Sequence, residues 1–340
     1  MQEVSTLHPT RRGQPSPFER WLRRRLRRRL YMMMPYAGVT PDNPVFAYDA
    51  RRLPTNEALQ AQMMRWGMGT AAAVIALWTI AALALVMARS LGFGAWESVY
   101  ELLVLGMGVG FLDKLVLDFI AVLSSVNLIS DDFRQGRWDL LALSNVSMRQ
   151  VVEARFAVAQ VRTWRTVAAV SGFRFGVWLA LLLHVLVLPL FLPSRMGVPN
   201  PLGTLAENWT EAFVLLTFVF CYGLFGWVIV LEPRWRMRAL AMGGLAVSTL
   251  NSGSGGSLFS AFGVVLGVWV VQIVVAVFSG CALFFGGFSF LGPDVWWMIG
   301  IGFSIFFLGM GVVIYGAYDN LTTMWRDNAL RRLIRLGGAL

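Results

Sequence analysis

Three ionisable residues in the second apolar stretch of this chain are the first candidates for chemistry. Asp113, Lys114 and Asp118 lie within a run of otherwise apolar residues from about Leu103 to Ser130. Ionisable side chains at membrane depth are costly, and they tend to mark a transport or proton pathway or a set of paired charges. Lys114 and Asp118 are spaced to pair on one helix face, which would leave Asp113 pointing elsewhere. The alternative is a neutralised pair without a transport role, or a span that begins later.

Other polar residues in the apolar runs give no catalytic or metal-binding pattern. His184 is a fourth candidate for the intramembrane pathway or paired charges, although as a metal ligand it is less expected than as a buried core histidine, since His8 is the only other histidine. Cys221 and Cys281 lack the spacing of a metal site and are expected to pack in the interior. Arg174 is expected to extend its charge to the inner membrane surface. The sequence therefore predicts no metal ion and no catalytic residue on this chain.

The composition places the chain in a membrane. Hydrophobic residues make up 57% and charged residues 14%, with a mean hydropathy of +0.62. Several apolar runs approach the roughly 20 residues that a helix needs to cross a bilayer. Lys114, the only lysine among 29 basic residues, follows Asp113, so the Gly-Lys-Ser/Thr of a phosphate-binding loop is missing. We therefore expect an integral membrane protein that does not hydrolyse nucleotides by that route.

The apolar runs and the arginines between them predict an all-α fold with about six transmembrane helices and cytoplasmic N- and C-termini. The stretch Ala239–Leu250 is too short to cross, and is interpreted as a half-span, a re-entrant hairpin or an interfacial helix. Three regions follow: a basic cytoplasmic or interfacial region at 1–67, a transmembrane domain at 68–317 and a basic cytoplasmic tail at 318–340. The predicted spans are 68–88, 103–130, 166–192, 211–231, 258–285 and 296–315.

The arginine-rich N-terminal region is predicted to lie on the membrane surface. Its apolar residues recur at four-residue spacing, which indicates a helix whose arginines face anionic lipid headgroups. The alternative is a disordered basic arm that only fixes the topology. Lipid and topology explain the charge more simply than nucleic-acid binding, so no nucleic-acid partner is expected. The proposed surface residues are Arg23, Arg24, Arg27 and Arg28.

A polar segment of residues 131–165 between the second and third spans is the best candidate for a docking surface. Gly136 permits a turn, leucines and a tryptophan supply an apolar anchor, and aspartates offer partners for basic residues of a soluble protein. The alternative is a solvated amphipathic loop that docks nothing. The candidate docking residues are Asp131, Asp132, Gly136, Arg137, Trp138, Asp139, Leu140, Leu141 and Ser144.

Two segments of the chain resemble the permease subunits of type-2 ABC transporters. The first, Asn43–Arg52, is similar to the Asn-Pro-Val segment that leads into the first span of many family members. The second is the polar segment, where Arg137 and Asn145 replace the threonine and the proline of the family pattern, and Phe133-Arg134 replaces its Arg-Glu pair. The matching positions are Ile129, Asp132, Gly136, Trp138, Asp139, Leu140, Leu141, Ser144, Val146, Ser147 and Arg155.

This resemblance implies a permease subunit whose polar segment contains an amphipathic cytoplasmic coupling helix. The partners would be a separate ABC ATPase subunit, which holds ATP and magnesium, and a second permease copy or a paralogue. Export across a prokaryotic cell membrane is expected, since exporters dominate the family. Two alternatives stay open. One is a non-transporting scaffold or anchor subunit of a larger membrane complex; the other is a membrane-embedded enzyme, which the missing catalytic residues disfavour.

Overall fold

Every regular element that the computed structural model describes is an α-helix. The described residues are 43–50, 53–54, 56–90, 112–138, 141, 146–191, 209–250, 254–288 and 296–337. The helices are α1 (Pro44–Ala50), α2 (Asn56–Ser90), α3 (112–123), α4 (Leu128–Arg134), α5 (Met148–Phe191), α6 (Trp209–Ser248), α7 (Ser254–Phe288) and α8 (Trp296–Gly337).

Three of these helices contain segments that are long and apolar enough to cross a membrane, which confirms the predicted all-α membrane class. The segments are Glu57–Ala84 of α2, Met148–Leu183 of α5 and Ser304–Arg335 of α8, and a shorter apolar stretch, Phe259–Val275, lies in α7. The count of six crossings and the cytoplasmic placement of the termini remain predictions.

The long helices alternate in direction along the chain. α2, α5 and α7 run one way, and α3, α6 and α8 run the other, as expected of a chain that passes back and forth through a bilayer. The contacts that fix these directions are Gln62–Arg165 and Thr70–Ala169 (α2–α5), Trp178–Tyr222 and Arg174–Glu232 (α5–α6), Asp118–Arg236 and Ser125–Gly244 (α3–α6), Cys221–Ser304 and Glu232–Tyr318 (α6–α8), and Glu232–Gln272 and Gly243–Val264 (α6–α7).

α6 corrects two expectations from the sequence. The chain stays helical through Pro233 and the arginines that follow it, so the helix of the predicted span 211–231 does not end there and is continuous with the stretch 239–248. The ambiguous stretch 239–250 is neither a re-entrant hairpin nor an interfacial helix, because its residues up to Ser248 continue α6 and are buried. Hydropathy measures apolar length and cannot tell whether lipid or protein covers a segment. Here protein covers it, since α3, α7 and α8 pack around this end of α6.

Glycines allow α2 and α5 to pack with their backbones close together. A Cβ atom on Gly172 would lie 2.0 Å from the carbonyl oxygen of Gly67, and one on Gly176 would lie 2.9 Å from that of Ala71. Thr70 Oγ1 donates a hydrogen bond of 3.1 Å across this contact to the Ala169 carbonyl. Small residues at four-residue spacing are a common basis for helix pairing in membranes. The contact fixes the position of α2 against α5.

We expect Gly172→Ala to destabilise the protein by about 1–3 kcal/mol, because the new methyl group overpacks a backbone contact. Gly69→Ala is the matched control, since Gly69 lies on α2 with no atom near its added Cβ. In that helix interior, alanine is expected to be neutral or to stabilise by up to about 1 kcal/mol. Chemical unfolding in detergent measures both. Equal stability of the two variants would contradict the close α2–α5 contact.

Candidate functional site

Glu232 of α6 lies at the centre of a buried group of charges, which we call the Glu232 cluster. Its Oε2 atom accepts a hydrogen bond of 2.5 Å from Arg174 Nη1. Its Oε1 atom accepts hydrogen bonds from Tyr318 Oη at 2.9 Å and from Gln272 Nε2 at 2.8 Å, and lies 3.5 Å from Arg236 Nη1. A carboxylate offers about four lone-pair positions, so these partners nearly saturate it. One side chain thereby connects α5, α6, α7 and α8.

Two aspartates of α3 complete the cluster. Asp113 receives two hydrogen bonds from Arg174, of 3.0 Å from Nε and 2.8 Å from Nη2. Asp118 receives the corresponding pair from Arg236, and both side chains of this second pair are 0% exposed. Trp269 of α7 adds a 2.8 Å hydrogen bond to Asp118, and its ring lies 5.5 Å from the guanidinium carbon of Arg236. Bidentate arginine–carboxylate pairs of this kind fix both distance and orientation.

These pairs differ from those that the sequence suggested. Asp118 binds Arg236 of another helix rather than Lys114 of its own, and Arg174 does not reach for the membrane surface but lies buried between two carboxylates. The sequence predicts Arg174 at the membrane surface because its buried partners lie on other helices, and no local pattern indicates them. Glu232 and Arg236 are not among the predicted site residues, because both follow the predicted end of the fourth span at residue 231. Two residues in the sequence could have indicated the cluster: Glu232, which directly follows the apolar run 211–231, and Gln272, which lies within the apolar run 258–285.

A second buried group, the Arg155 cluster, joins α1, α4 and α5. Arg155 Nε and Nη2 each lie 2.8 Å from an oxygen of Asp132, and its Nη1 lies 2.7 Å from Asp49 Oδ2. Asp132 is 3% exposed. Burial raises the pKa of the Asp132 carboxyl, while the charge of Arg155 opposes that rise. One arginine therefore binds two carboxylates that come from segments about 80 residues apart in the sequence.

The start of α1 is fixed to the start of α5 beside this cluster. Asn43 Oδ1 accepts hydrogen bonds from the backbone N–H groups of Val45 and Phe46, and so caps α1. Its Nδ2 atom donates a 2.7 Å hydrogen bond to the carbonyl of Gln150. Ser147 and Gln150 form a capping box at the first turn of α5. The two segments that resemble the permease family are thus in direct contact.

The predicted docking residues divide between the interior and the surface. Gly136 has a φ of +65°, which suits glycine, and it turns the chain after α4. Trp138 is 2% exposed and stacks on Phe133 at 4.3 Å, so it packs inside this chain like Asp132. Asp131 and Arg137 are exposed. Leu141 is half-buried against the core. The predictions for Asp139, Leu140, Ser144, Arg23, Arg24, Arg27, Arg28 and the His184 side chain lie outside the described residues.

Comparisons of this chain with protein-family models, with curated proteins and with solved structures found no match.

Arg236→Met should cost about 3–5 kcal/mol of unfolding free energy, because it leaves Asp118 charged and buried without its partner. Adding Asp118→Asn should recover most of that loss, since the uncompensated charge is then gone. Arg149→Met is the control, because its ion pair with Glu153 is on the surface and should be worth less than about 1 kcal/mol. Chemical unfolding of the four proteins in detergent gives the comparison. An Arg236→Met protein as stable as the control would contradict the buried pair.

Proposed function

We propose that this chain is the permease subunit of an ATP-driven transporter in a prokaryotic cell membrane. In this proposal two copies, or this chain and a paralogue, pair in the membrane, and a separate ATPase subunit binds ATP and magnesium. Substrate leaves the cell when ATP-dependent closure of the ATPase pair changes the arrangement of the permease helices. The chain itself carries no catalytic residue in this scheme.

The observation that carries the proposal is a continuous helical connection from the polar segment to the Glu232 cluster. Arg155 binds Asp132 of α4 at one end of α5, and Arg174 binds Glu232 further along the same helix. α5 is unbroken from Met148 to Phe191. At 1.5 Å per residue, the two arginines are roughly 30 Å apart. A displacement of the polar segment would therefore move Arg174 relative to α6, which is what coupling through a rigid element requires.

The surface next to α4 supports a docking role for the same segment. Asp131 and Arg137 offer exposed charges of both signs on either side of the Gly136 turn. The interior residues Asp132 and Trp138 hold this turn in place rather than contact a partner. Paired exposed charges on a rigid support favour specific docking, since rim charges select a partner and set its orientation.

A scaffold subunit is the second candidate, and the saturation of the Glu232 cluster favours it. Each of the carboxylates Asp113, Asp118 and Glu232 binds at least one arginine, and Glu232 binds two. A closed network of this kind suits a protein that holds neighbouring subunits in place without changing shape. The two candidates differ in whether an ATPase binds and whether the helices move.

Purification from native membranes in mild detergent tests the permease proposal. We expect an ATPase subunit, identified by its phosphate-binding loop, to co-purify and to hydrolyse ATP. Asp131→Ala combined with Arg137→Ala should reduce its recovery by roughly tenfold, because both exposed charges of the docking surface are lost. Arg149→Ala combined with Glu153→Ala is the matched control, since it also removes one charge of each sign from the start of α5.

One result would count against the permease proposal, and another against the docking surface at Asp131 and Arg137. If no ATPase co-purifies while other membrane subunits do, the scaffold role replaces it. If the ATPase binds equally to both double variants, its docking surface lies elsewhere on the chain.

A further inference from the structure

Lys114 is the one charged group of this region that the ion pairs do not use. Among the described residues it forms no hydrogen bond and no ion pair, although it is half-buried. Three carboxylates and two arginines make up the paired charges of the Glu232 cluster. With Lys114 the region is electrically neutral, and without it a negative charge remains. The ammonium group is therefore a spare cation beside a network that already has its hydrogen bonds.

Lys114 lies on the inward face of α3. The exposed face of this helix carries Leu112, Val116 and Phe119, whereas Leu117 is fully buried on the same side as Lys114. From this face the ammonium group is close enough to Glu232 and Asp113 to interact electrostatically with both carboxylates. A long aliphatic side chain can redirect its charge without a change in the backbone, whereas Arg174 is held by a bidentate contact to Asp113 and a further hydrogen bond to Glu232.

The two ends of the cluster are sealed to different degrees. At one end, Asp118 and Arg236 are fully buried and covered by Trp269. Their ion pair holds α3 to α6. At the other end, Asp113 and Arg174 keep about a tenth or less of their side chains exposed. Movement of α5 would open this second end, because Arg174 would leave with its helix. Asp113 would then lose its arginine and Glu232 would lose one of its two, and such a loss in a buried site is costly unless another cation replaces it.

We infer that Lys114 is that replacement, and that Arg174 and Lys114 are alternative partners of Glu232 in a two-state ion-pair switch. In the state described here, Arg174 bridges Asp113 and Glu232 and holds α5 against α3 and α6. In the second state, α5 has shifted, Arg174 has left the carboxylates, and Lys114 pairs with Glu232. The Asp118–Arg236 pair stays closed in both states. This inference deepens the proposed function, on which it rests, because the movement of α5 is the one that a docked ATPase would drive.

Spin-label distances between α5 and α6 test the switch in the protein alone. Labels at Arg162→Cys on α5 and Leu250→Cys after α6 would be placed on exposed positions in a cysteine-free background in lipid nanodiscs. Arg174→Gln should move the protein to the second state and change the distance by at least about 3 Å, the rise of two helical residues. Adding Lys114→Met should abolish that defined distance, because neither Arg174 nor Lys114 then supplies a second cation beside Arg236 at Glu232. Lys114→Met alone should keep the first distance.

Several outcomes would overturn the switch. An Arg174→Gln protein that does not fold, or that keeps the original distance, shows that Lys114 does not replace the arginine. If the single variant Lys114→Met does not fold, the lysine is already needed in the first state. If Arg174→Gln gives the same distance with and without Lys114→Met, Lys114 has no role in the second state. No ATPase is present in these samples, so failure of the permease proposal is judged separately by co-purification.

Discussion

The burial of the Glu232 carboxylate is the constraint on which the rest of the bundle depends. A buried carboxylate must find cations and donors inside the protein, because burial removes the water that would otherwise solvate its charge. It finds them in Arg174, Arg236, Gln272 and Tyr318, which come from four different helices. Each arginine then binds an aspartate of α3. Because apolar contacts between helices in lipid give little directional preference, these hydrogen bonds fix the register at which α3, α5, α6, α7 and α8 meet.

A buried arginine that binds two carboxylates is also found at the other end of α5, where Arg155 binds Asp49 and Asp132. There it attaches a short N-terminal helix and the turn around Gly136 to the first turns of α5. The close glycine contact at Gly172 adds α2 to the same helix. α5 is therefore the element that α1, α2, α4 and the Glu232 cluster share. The proposed coupling role follows from this arrangement, since any force on the turn acts on α5 first.

The membrane class and the helical stretches around Met68–Ala88 and 166–192 are predictable from the sequence because apolar length is a local property. The sequence also indicates that the charges of Asp113 and Asp118 are costly at membrane depth. It singles out two further segments, Asn43–Arg52 and the polar segment, whose residues meet at Arg155. The predicted partner of Asp118 is wrong, since Asp118 and Arg236 are 118 positions apart and nothing local connects them. The burial of 239–248 and of Trp138 was missed for a related reason: hydropathy and motif patterns show which residues avoid water, but they do not show which neighbour covers them. The described contacts supply that neighbour.

Hydrogen–deuterium exchange of Glu232→Ala in lipid nanodiscs tests the central role of Glu232 most directly, with Glu153→Ala as the surface control. If this carboxylate holds the bundle together, amide exchange should rise in every helix of the cluster, around Asp118 in α3, Arg174 in α5, Gln272 in α7 and Tyr318 in α8. The control should exchange like the native protein. Faster exchange confined to the turn of α6 around position 232, with the other helices unchanged, would contradict the account.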